Sequence, residues 1–222
     1  MLIPNYLLCP QIASLRYYIS NENLALFPDF RQRLAVLRHL GYVDGADTVL
    51  MKGRVACEMN TCDELLASEI LYQNILDPLN PPEAAAVLSA LVFQEKTDEV
   101  SPLTTRMEAA REQMEGLLRQ LTVLLEEDFG LAVDNEARPS LNFGLAAAVY
   151  EWARGTSFRD ITAMTTVHEG SIVRCMTRLD DLCRDFRNAA RVIGNPTLYR
   201  KMEAASQCIR RDIVFAASMY VI

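Results

Sequence analysis

The chain has 222 residues, half of them hydrophobic, and carries a formal net charge of −7 at pH 7. That length is enough to bury a substantial core, and the composition is not that of a disordered chain. The acidic balance argues against a protein that holds nucleic acid mainly through a large basic surface. No apolar run reaches the roughly 18 residues needed to cross a bilayer, so we expect a protein of the cytosol or nucleus.

Several motifs that would indicate a catalytic or metal site are absent from the sequence. The six cysteines include no C-x-x-C pair, and the two histidines, His39 and His168, lie far apart. We therefore expect reduced thiols that are mostly buried, rather than zinc ligands or disulfides. The sequence also lacks a phosphate-binding loop, a glycine-rich dinucleotide motif and an H-E-x-x-H motif. These residues are therefore not expected to form a catalytic site of their own.

The first elements of the chain are predicted from leucine spacing and turn signals. A helix is expected over residues 29–40, with Gly41 as its stop signal. The following stretch, "GYVDGADTVLMKGR", has short β-type runs around an Asp-Gly turn and predicts at most one short β-hairpin, near residues 42–52. Thr61 and Glu64 have the spacing of a capping box, which predicts that the next helix begins there.

Three further helices are predicted in the middle of the chain. Asn80, followed by two prolines and a glutamate, begins a helix that is expected to continue to about Glu95. A long amphipathic helix with a charged outer face is expected from Thr104 to Phe129. The stretch "LNFGLAAAVYEWARG", which ends at Gly155, is almost wholly apolar. It predicts a short helix at the centre of a bundle.

The last third of the chain is also helical by pattern. "SFRDITAMTT" and "EGSIVRCMTRL" are two helical segments separated by a tight turn, which is the outline of a helix-turn-helix. The second segment begins a long helix, because apolar residues recur with helical spacing from Ile172 to Ile193. A final helix begins at Asn195 and Pro196 and is expected to continue to the C-terminus.

These elements together predict an all-α fold. We expect a single bundle of about eight helices over residues 27–222, with residues 1–26 as a lead-in segment. The sequence has no Gly/Ser-rich linker and no internal repeat that would divide this bundle.

One helix carries an unusual density of arginine. From Arg154 to Arg191 there are seven arginines and five acidic residues, a local charge of +2 within an acidic chain. Arg174 and Arg178 lie one turn apart on the outer face, where guanidinium groups can stack on the bases of a single strand. The pattern alone favours the simpler interpretation that both arginines belong to a solvated face.

The other conspicuous side chains in this region are expected to have structural roles. Arg184, Arg187 and Arg191 lie on another side of the long helix, where acids of neighbouring helices are the expected partners. Four further residues are assigned in the same way: Trp152 and Tyr150 as core aromatics, Arg210 and Arg211 as capped or paired cations.

Four short motifs, in order along the chain, support a more specific interpretation. "GRVACE", "FQE", "EGSIVRC" and "RRDIVFAAS" resemble the C-terminal helical domain of the exosome-associated DEVH-box RNA helicases, nearly end to end from about Asn21. "LNFGLAAAVYEWARG" and "RRDIVFAASMY" look closer to the cytoplasmic superkiller branch than to the nuclear branch, so the resemblance implies a cytoplasmic protein, with the nucleus as the alternative. Residues 1–26 depart from the pattern. Their position implies a stub of the stalk that links an arch insertion to this domain.

The resemblance implies a role in guiding RNA. In this family two RecA-like domains hydrolyse ATP and move along RNA in the 3′ to 5′ direction, while the helical domain closes a ring around the strand. The "EGSIVRCMTRL" helix then corresponds to the ratchet helix, with Arg174 and Arg178 on the RNA side. Glu95 of "FQE" corresponds to a carboxylate that accepts a hydrogen bond from a base. Since phosphate repels a carboxylate, its target would be an exocyclic amino group.

The resemblance also implies what this chain needs from elsewhere. ATP and magnesium would bind in the RecA-like domains, so the chain alone is expected to have no cofactor and no ATPase activity. The implied partners are single-stranded RNA, the ATPase domains of the same helicase, subunits of the Ski complex and the RNA exosome, with no membrane. The implied outcome is RNA decay.

Two alternatives to RNA guidance remain open on the sequence. A helical protein-interaction scaffold without RNA contact would need an exposed apolar patch. RNA guidance would need Arg174, Arg178 and Glu95 to be exposed and to converge on one groove. DNA recognition by the helix-turn-helix outline at 158–180 is disfavoured by the acidic charge.

Overall fold

The computed structural model describes residues 27–95, 102–131 and 139–211, and in these ranges the protein is all-α. The described residues form nine α-helices joined by turns and by short 3₁₀ and π segments. In chain order they are α1 (Phe27–His39), α2 (Met51–Ala56), α3 (Glu64–Tyr72), α4 (Pro81–Leu88), α5 (Thr105–Val123), α6 (Ala146–Arg154), α7 (Phe158–Ala163), α8 (Glu169–Ile193) and α9 (Pro196–Ile209). None of these helices is both long and apolar enough to cross a membrane.

The predicted hairpin is reduced to a single pair of residues. Val43 and Val49 form one isolated antiparallel bridge, and no longer ladder forms in the described part of the chain. The Asp44 side chain accepts hydrogen bonds from the backbone N–H groups of Ala46 and Thr48, both at 2.8 Å, which closes the turn tightly. The chain then enters α2 at once. This short helix accounts for the difference between nine helices and the predicted eight.

The helix caps confirm one prediction and correct another. The helix predicted to begin at Asn80 does so, with Asn80 as the N-cap of α4 and Glu83 completing a capping box. The capping box predicted at Thr61 and Glu64 is wrong, because Asp63 is the N-cap of α3 and accepts a hydrogen bond from Leu66 N at 2.7 Å. An aspartate directly before the first turn provides the acceptor that the cap needs, so Thr61 is left for another contact.

Two helices in the middle of the chain end earlier than the sequence predicts. The α-helical part of α4 ends at Leu88 instead of continuing to about Glu95, and a 3₁₀ turn, Ser89–Leu91, follows it. The Ser89 hydroxyl donates to Ala86 O at 2.6 Å, a local bond that competes with continued α-helix. Similarly, α5 ends at Val123 and a π turn, Leu124–Asp128, completes the segment. Glu95 therefore lies in irregular chain.

The main core is built around α8 and α9, the closest-packed pair of helices, with α4 and α6 against them. Trp152 is fully buried, as predicted, and its indole N–H donates to Ile209 O at 2.9 Å. The last helix was predicted to continue unbroken to the C-terminus, but α9 ends at Ile209, and Arg210 and Arg211 lie outside it. Residues 212–222 lie outside the described residues, as does the lead-in 1–26. The buried stripe of α8 contains Ile172, Cys175, Met176, Leu179, Leu182, Cys183, Phe186, Ala189 and Ala190.

Candidate RNA-binding surface

Three polar residues in the first half of α8 lie on the same side of the helix. A residue turns about 100° around a helix, so Ser171, Arg174 and Arg178 fall within an arc of about 60°. They span about 10 Å along the helix axis, at a rise of about 1.5 Å per residue. The core-facing residues between them, such as Ile172 and Met176, are fully buried. Of the three, Ser171 is buried, Arg174 is exposed and Arg178 is half-buried.

Both ends of α8 carry capping residues, which fix where the helix begins and ends. His168 is the N-cap, and its ring Nδ1 accepts a hydrogen bond from Gly170 N at 3.2 Å. At the other end Gly194 adopts a left-handed conformation with φ of 73°, which stops the helix.

Glu95 is held against the start of α8 by two hydrogen bonds. The Ser171 hydroxyl donates to Glu95 Oε1, and the Asn142 side-chain amide donates to the Glu95 backbone carbonyl at 2.6 Å. Both the backbone and the carboxylate of Glu95 are thus positioned, although the residue is exposed. Its second carboxylate oxygen has no partner among the described residues and is free to accept a hydrogen bond.

Arg178 is held by two neutral acceptors. Its Nη1 donates to Gln94 Oε1 at 3.5 Å, the outer limit of a hydrogen bond, and its Nη2 donates to Thr61 O at 3.3 Å. Within the described residues Arg178 forms no ion pair, so no carboxylate neutralises its charge. The guanidinium is half-buried and oriented, yet still cationic.

Arg174 lies between these two contacts. The residue is exposed, and among the described residues its guanidinium has no hydrogen bond, ion pair or ring contact. Ser171, which precedes Arg174 on the helix, contacts Glu95, and Arg178, which follows it, contacts the adjacent Gln94. The 94–95 segment therefore lies beside α8 at the level of Arg174. The structure therefore brings Glu95, Ser171, Arg174 and Arg178 to one surface, which we name the arginine face. Whether RNA binds there remains a prediction.

Sequence reasoning missed the residues that hold this surface together. Ser171 lies in "EGSIVRC" one turn before Arg174. Helical periodicity could therefore have placed it on the same side of the helix as the two arginines. The contacts of Thr61 and Gln94 with Arg178 join residues 117 and 84 positions apart, and no local pattern indicates them.

The other arginines of α8 have different partners from those predicted. Arg184 pairs with Asp180 and Asp181, at 3.6 and 3.1 Å, and both acids are on its own helix rather than on a neighbour. Arg187 and Arg191 lie over the Tyr199 ring, with centroid distances of 5.9 and 5.6 Å. An aromatic ring on α9 thus takes the place of the expected acids.

The remaining structural assignments are largely confirmed. Arg211 lies 3.7 Å from the Trp152 ring centroid and donates to the Trp152 carbonyl at 2.6 Å, so it is a paired cation. Arg210 pairs with Asp180 at 3.8 Å. Tyr150 is only half-buried, with the Arg154 guanidinium 5.4 Å from its ring centroid. It lies at the rim of the core rather than inside it.

A cavity and an apolar cluster lie in another part of the described structure. The cavity has a volume of about 740 Å³, and its lining includes Tyr42, Gly53, Leu125 and Leu131 but no residue of the arginine face. Beside it, three consecutive apolar residues are well exposed, at 46, 40 and 51%: Val49, Leu50 and Met51. Such a cluster is the feature that the scaffold alternative requires.

The comparisons with known proteins identify the class to which this fold and surface belong. Residues 46–216 match the family model of the DSHCT (NUC185) domain. The chain is 44% identical to the DExH-box ATP-dependent RNA helicase DExH11 of Arabidopsis thaliana, and 43% identical to human Superkiller complex protein 2. Both alignments cover 95% of this chain, and 16 and 17% of the respective relatives. The human Exosome RNA helicase MTR4 is 40% identical over 87% of the chain and 18% of its own length.

These matches make the protein a helical C-terminal domain of the RNA helicase type. More narrowly, the chain belongs to the DSHCT domain family, and its relatives include superkiller-type helicases that align over nearly its whole length. The chain spans about a sixth of the length of these relatives.

Proposed function

We propose that this domain guides single-stranded RNA through a superkiller-type helicase that moves 3′ to 5′, and so helps to deliver RNA to the exosome for decay. One observation carries the proposal. Two arginines that have no acidic partner within the described residues share a surface with Glu95, whose carboxylate accepts from Ser171 and whose backbone carbonyl accepts from Asn142.

Each member of the arginine face has a separate task in this proposal. Arg174 is free to move and stacks its planar guanidinium on a passing base. Arg178, already oriented by Thr61 and Gln94, donates to base or phosphate oxygens with little further ordering. Glu95 accepts a hydrogen bond from the exocyclic amino group of a base. The arginine contacts tolerate any sequence, as a moving strand requires, whereas the Glu95 contact needs a base with an exocyclic amino group.

The same charges explain why the domain would guide RNA rather than hold it. Two arginines at a single strand predict a slope of only about −1.4 in log K against log salt, at roughly −0.7 for each phosphate neutralised. The rest of this acidic chain adds no broad attraction for a polyanion. The main grip on RNA then belongs to the ATPase domains, which we propose as the direct partners of this domain within a Ski-type complex.

ATP and magnesium are assigned to those partner domains. The sequence has no phosphate-binding loop, and within the described residues no group of three or more His, Cys, Asp or Glu is arranged to hold a metal ion. We infer that this chain contributes to an ATP-dependent reaction without binding the nucleotide itself.

The proposal is tested by unwinding in the full-length helicase. The double substitution Arg174→Ala, Arg178→Ala is expected to slow ATP-driven unwinding of a duplex with a 3′ overhang by about fivefold or more, since base stacking is worth about 1–3 kcal/mol per base. Melting temperature and RNA-independent ATP hydrolysis should not change. The matched control, Arg184→Ala with Arg191→Ala, removes the same charge from another side of α8 and should leave unwinding intact.

Unchanged unwinding in the Arg174→Ala, Arg178→Ala variant would contradict the proposal, and the arginine face would then be a solvated surface. An equal loss in the control variant would also contradict it, because the loss would then follow from helix charge rather than from this surface.

The exposed apolar cluster supports the scaffold as a second candidate function. Replacing Leu50 and Met51 by serine would test it, because loss of association with the partner domains at unchanged RNA contact would favour a protein-binding role.

A further inference from the structure

We propose that Asp185 is a positioning residue of the arginine face, and that it acts on RNA through Arg178 without touching the strand. The inference rests on the proposed function of that face. Asp185 lies two turns beyond Arg178 on α8, rotated from it by only about 20°, so the two residues share one side of the helix.

One oxygen of the Asp185 carboxylate is occupied by a neighbouring turn. Its Oδ2 atom accepts three hydrogen bonds: from Asn60 N at 2.9 Å, from Thr61 N at 3.0 Å and from the Thr61 hydroxyl at 2.7 Å. Hydrogen bonds to a charged acceptor are stronger than neutral ones, and Asp185 is buried. The turn at residues 60–61 is therefore tightly fixed to α8.

The other side of the same turn contacts Arg178. The N–H and hydroxyl of Thr61 point to Asp185, while the Thr61 carbonyl accepts from Arg178 Nη2 at 3.3 Å. A single residue from a distant part of the chain thus bridges two positions on one helix. Fixing the turn at one end fixes the acceptor at the other, and this restricts the conformations that the arginine can adopt.

This arrangement also preserves the charge of Arg178. Asp185 and Arg178 lie on the same side of α8, yet no ion pair joins their side chains in the described residues. Because the three donors of the 60–61 turn hold Oδ2, Asp185 orients the guanidinium through the neutral Thr61 carbonyl instead of pairing with it directly. Binding to RNA then begins from an arginine that is already ordered and still cationic, which lowers the entropic cost of association.

The experiment is a double-mutant cycle on RNA affinity in the full-length helicase at fixed salt. Asp185→Asn keeps the shape of the side chain but removes its charge and part of its acceptor capacity. It should weaken binding of a single-stranded RNA by roughly three- to tenfold, the range expected when a charged hydrogen-bond network is broken. In an Arg178→Ala background the same change should cost less than about twofold, while in an Arg174→Ala background it should keep its full effect.

A second variant covers the case in which Asp185→Asn fails to fold. Thr61→Val removes only the hydroxyl that donates to Asp185 and should show the same dependence on Arg178 with a smaller effect. A merely structural role would lower the melting temperature and weaken RNA binding equally in the Arg178→Ala and Arg174→Ala backgrounds. That additive result would overturn the inference but leave the proposed function standing. If Arg178→Ala leaves RNA affinity unchanged, this inference is overturned; if the Arg174→Ala, Arg178→Ala variant also unwinds at the native rate, the proposed function itself is wrong.

Discussion

The hydroxyl of Ser171 donates a hydrogen bond to Glu95 Oε1, joining two residues that are 76 positions apart in the chain. Ser171 is in the first turn of α8, and Glu95 is in the irregular segment that follows α4 and its 3₁₀ turn. The bond occupies one carboxylate oxygen and leaves the other available. The side chain that we propose as the reader of base amino groups is thus aligned before RNA arrives.

Replacing Ser171 by alanine should therefore affect RNA according to its bases. In the full-length helicase we expect Ser171→Ala to weaken binding of adenosine-rich RNA by about two- to fivefold, the equivalent of one hydrogen bond of about 0.5–1 kcal/mol. Uridine-rich RNA should bind as before, because uracil has no exocyclic amino group. Equilibrium titration with labelled oligonucleotides measures both affinities.

Ser206→Ala is a matched control, since the Ser206 hydroxyl also donates to a carboxylate, Asp180 Oδ1, at 2.5 Å. This variant should change stability by a similar amount without changing RNA affinity. An equal loss on adenosine-rich and uridine-rich RNA in Ser171→Ala would show that Glu95 does not read the amino group.

The buried indole of Trp152 should be a major determinant of stability. Trp152→Phe removes the indole donor to the Ile209 carbonyl, which keeps only the Arg211 N–H, and opens space beside the Arg211 guanidinium. We expect the free energy of unfolding to fall by about 2–4 kcal/mol, measured by urea denaturation. Tyr150→Phe, which changes a half-buried ring on the same helix, should stay within about 0.5 kcal/mol. A similar cost for both variants would contradict the assigned core position.

Two glycines in helices should respond to alanine with opposite signs. A Cβ at Gly53 would lie 2.5 Å from the Tyr42 carbonyl oxygen and 2.8 Å from Val49 Cγ1, closer than atoms can approach. Gly53→Ala should therefore destabilise the protein by about 1–3 kcal/mol. In α5 a Cβ at Gly116 would have only the flexible Arg119 side chain, at 3.8 Å, as a neighbour. Gly116→Ala should stabilise the protein by about 0.5–1 kcal/mol, and thermal unfolding of both variants tests the contrast.

The cysteines should differ widely in reactivity. Cys57 is exposed, whereas Cys175 and Cys183 are buried, and all three are free thiols. Burial raises the pKa of the Cys175 thiol to about 12 and also raises the pKa of Cys183. At pH 8 we expect iodoacetamide to label Cys57 first, and both buried thiols at least about tenfold more slowly, because the thiolate is the reactive form. Peptide mass spectrometry before and after denaturation would measure this. Rapid labelling of Cys175 in the native protein would contradict its burial.

The raised pKa of Cys175 also predicts how stability depends on pH. Above the unfolded thiol pKa of about 8.5, the folded protein retains a proton that the unfolded chain has lost, so the free energy of unfolding falls as pH rises. Below that pH the contribution is fully present. Between pH 8.5 and the folded pKa the loss is about 1 kcal/mol per pH unit for this thiol. Urea denaturation of Cys175→Ala between pH 8 and 9.5 should give a correspondingly flatter profile, and identical profiles would contradict the prediction.

Short-range rules predicted much of the helical framework. The helix start at Asn80, the stop at Gly155 and the buried stripe of α8 depend on residues within one or two turns of each other. Such interactions are nearly the same in any fold, so pattern alone identifies them. The prediction failed where two local options competed, as at Thr61 and Asp63, because both residues can cap a helix and only tertiary contacts decide between them.

The sequence by itself determined that this chain is all-α, that its longest arginine-bearing helix has one buried and one polar side, and that its motifs belong to the RNA helicase family. It also singled out Arg174, Arg178 and Glu95. Only the tertiary structure decided that the 94–95 segment lies along α8. It also decided that the 60–61 turn donates hydrogen bonds to Asp185 and accepts one from Arg178. The physical reason is distance along the chain. Periodicity reports which side of a helix faces the core, but contacts between residues 76 to 124 positions apart depend on how whole helices pack.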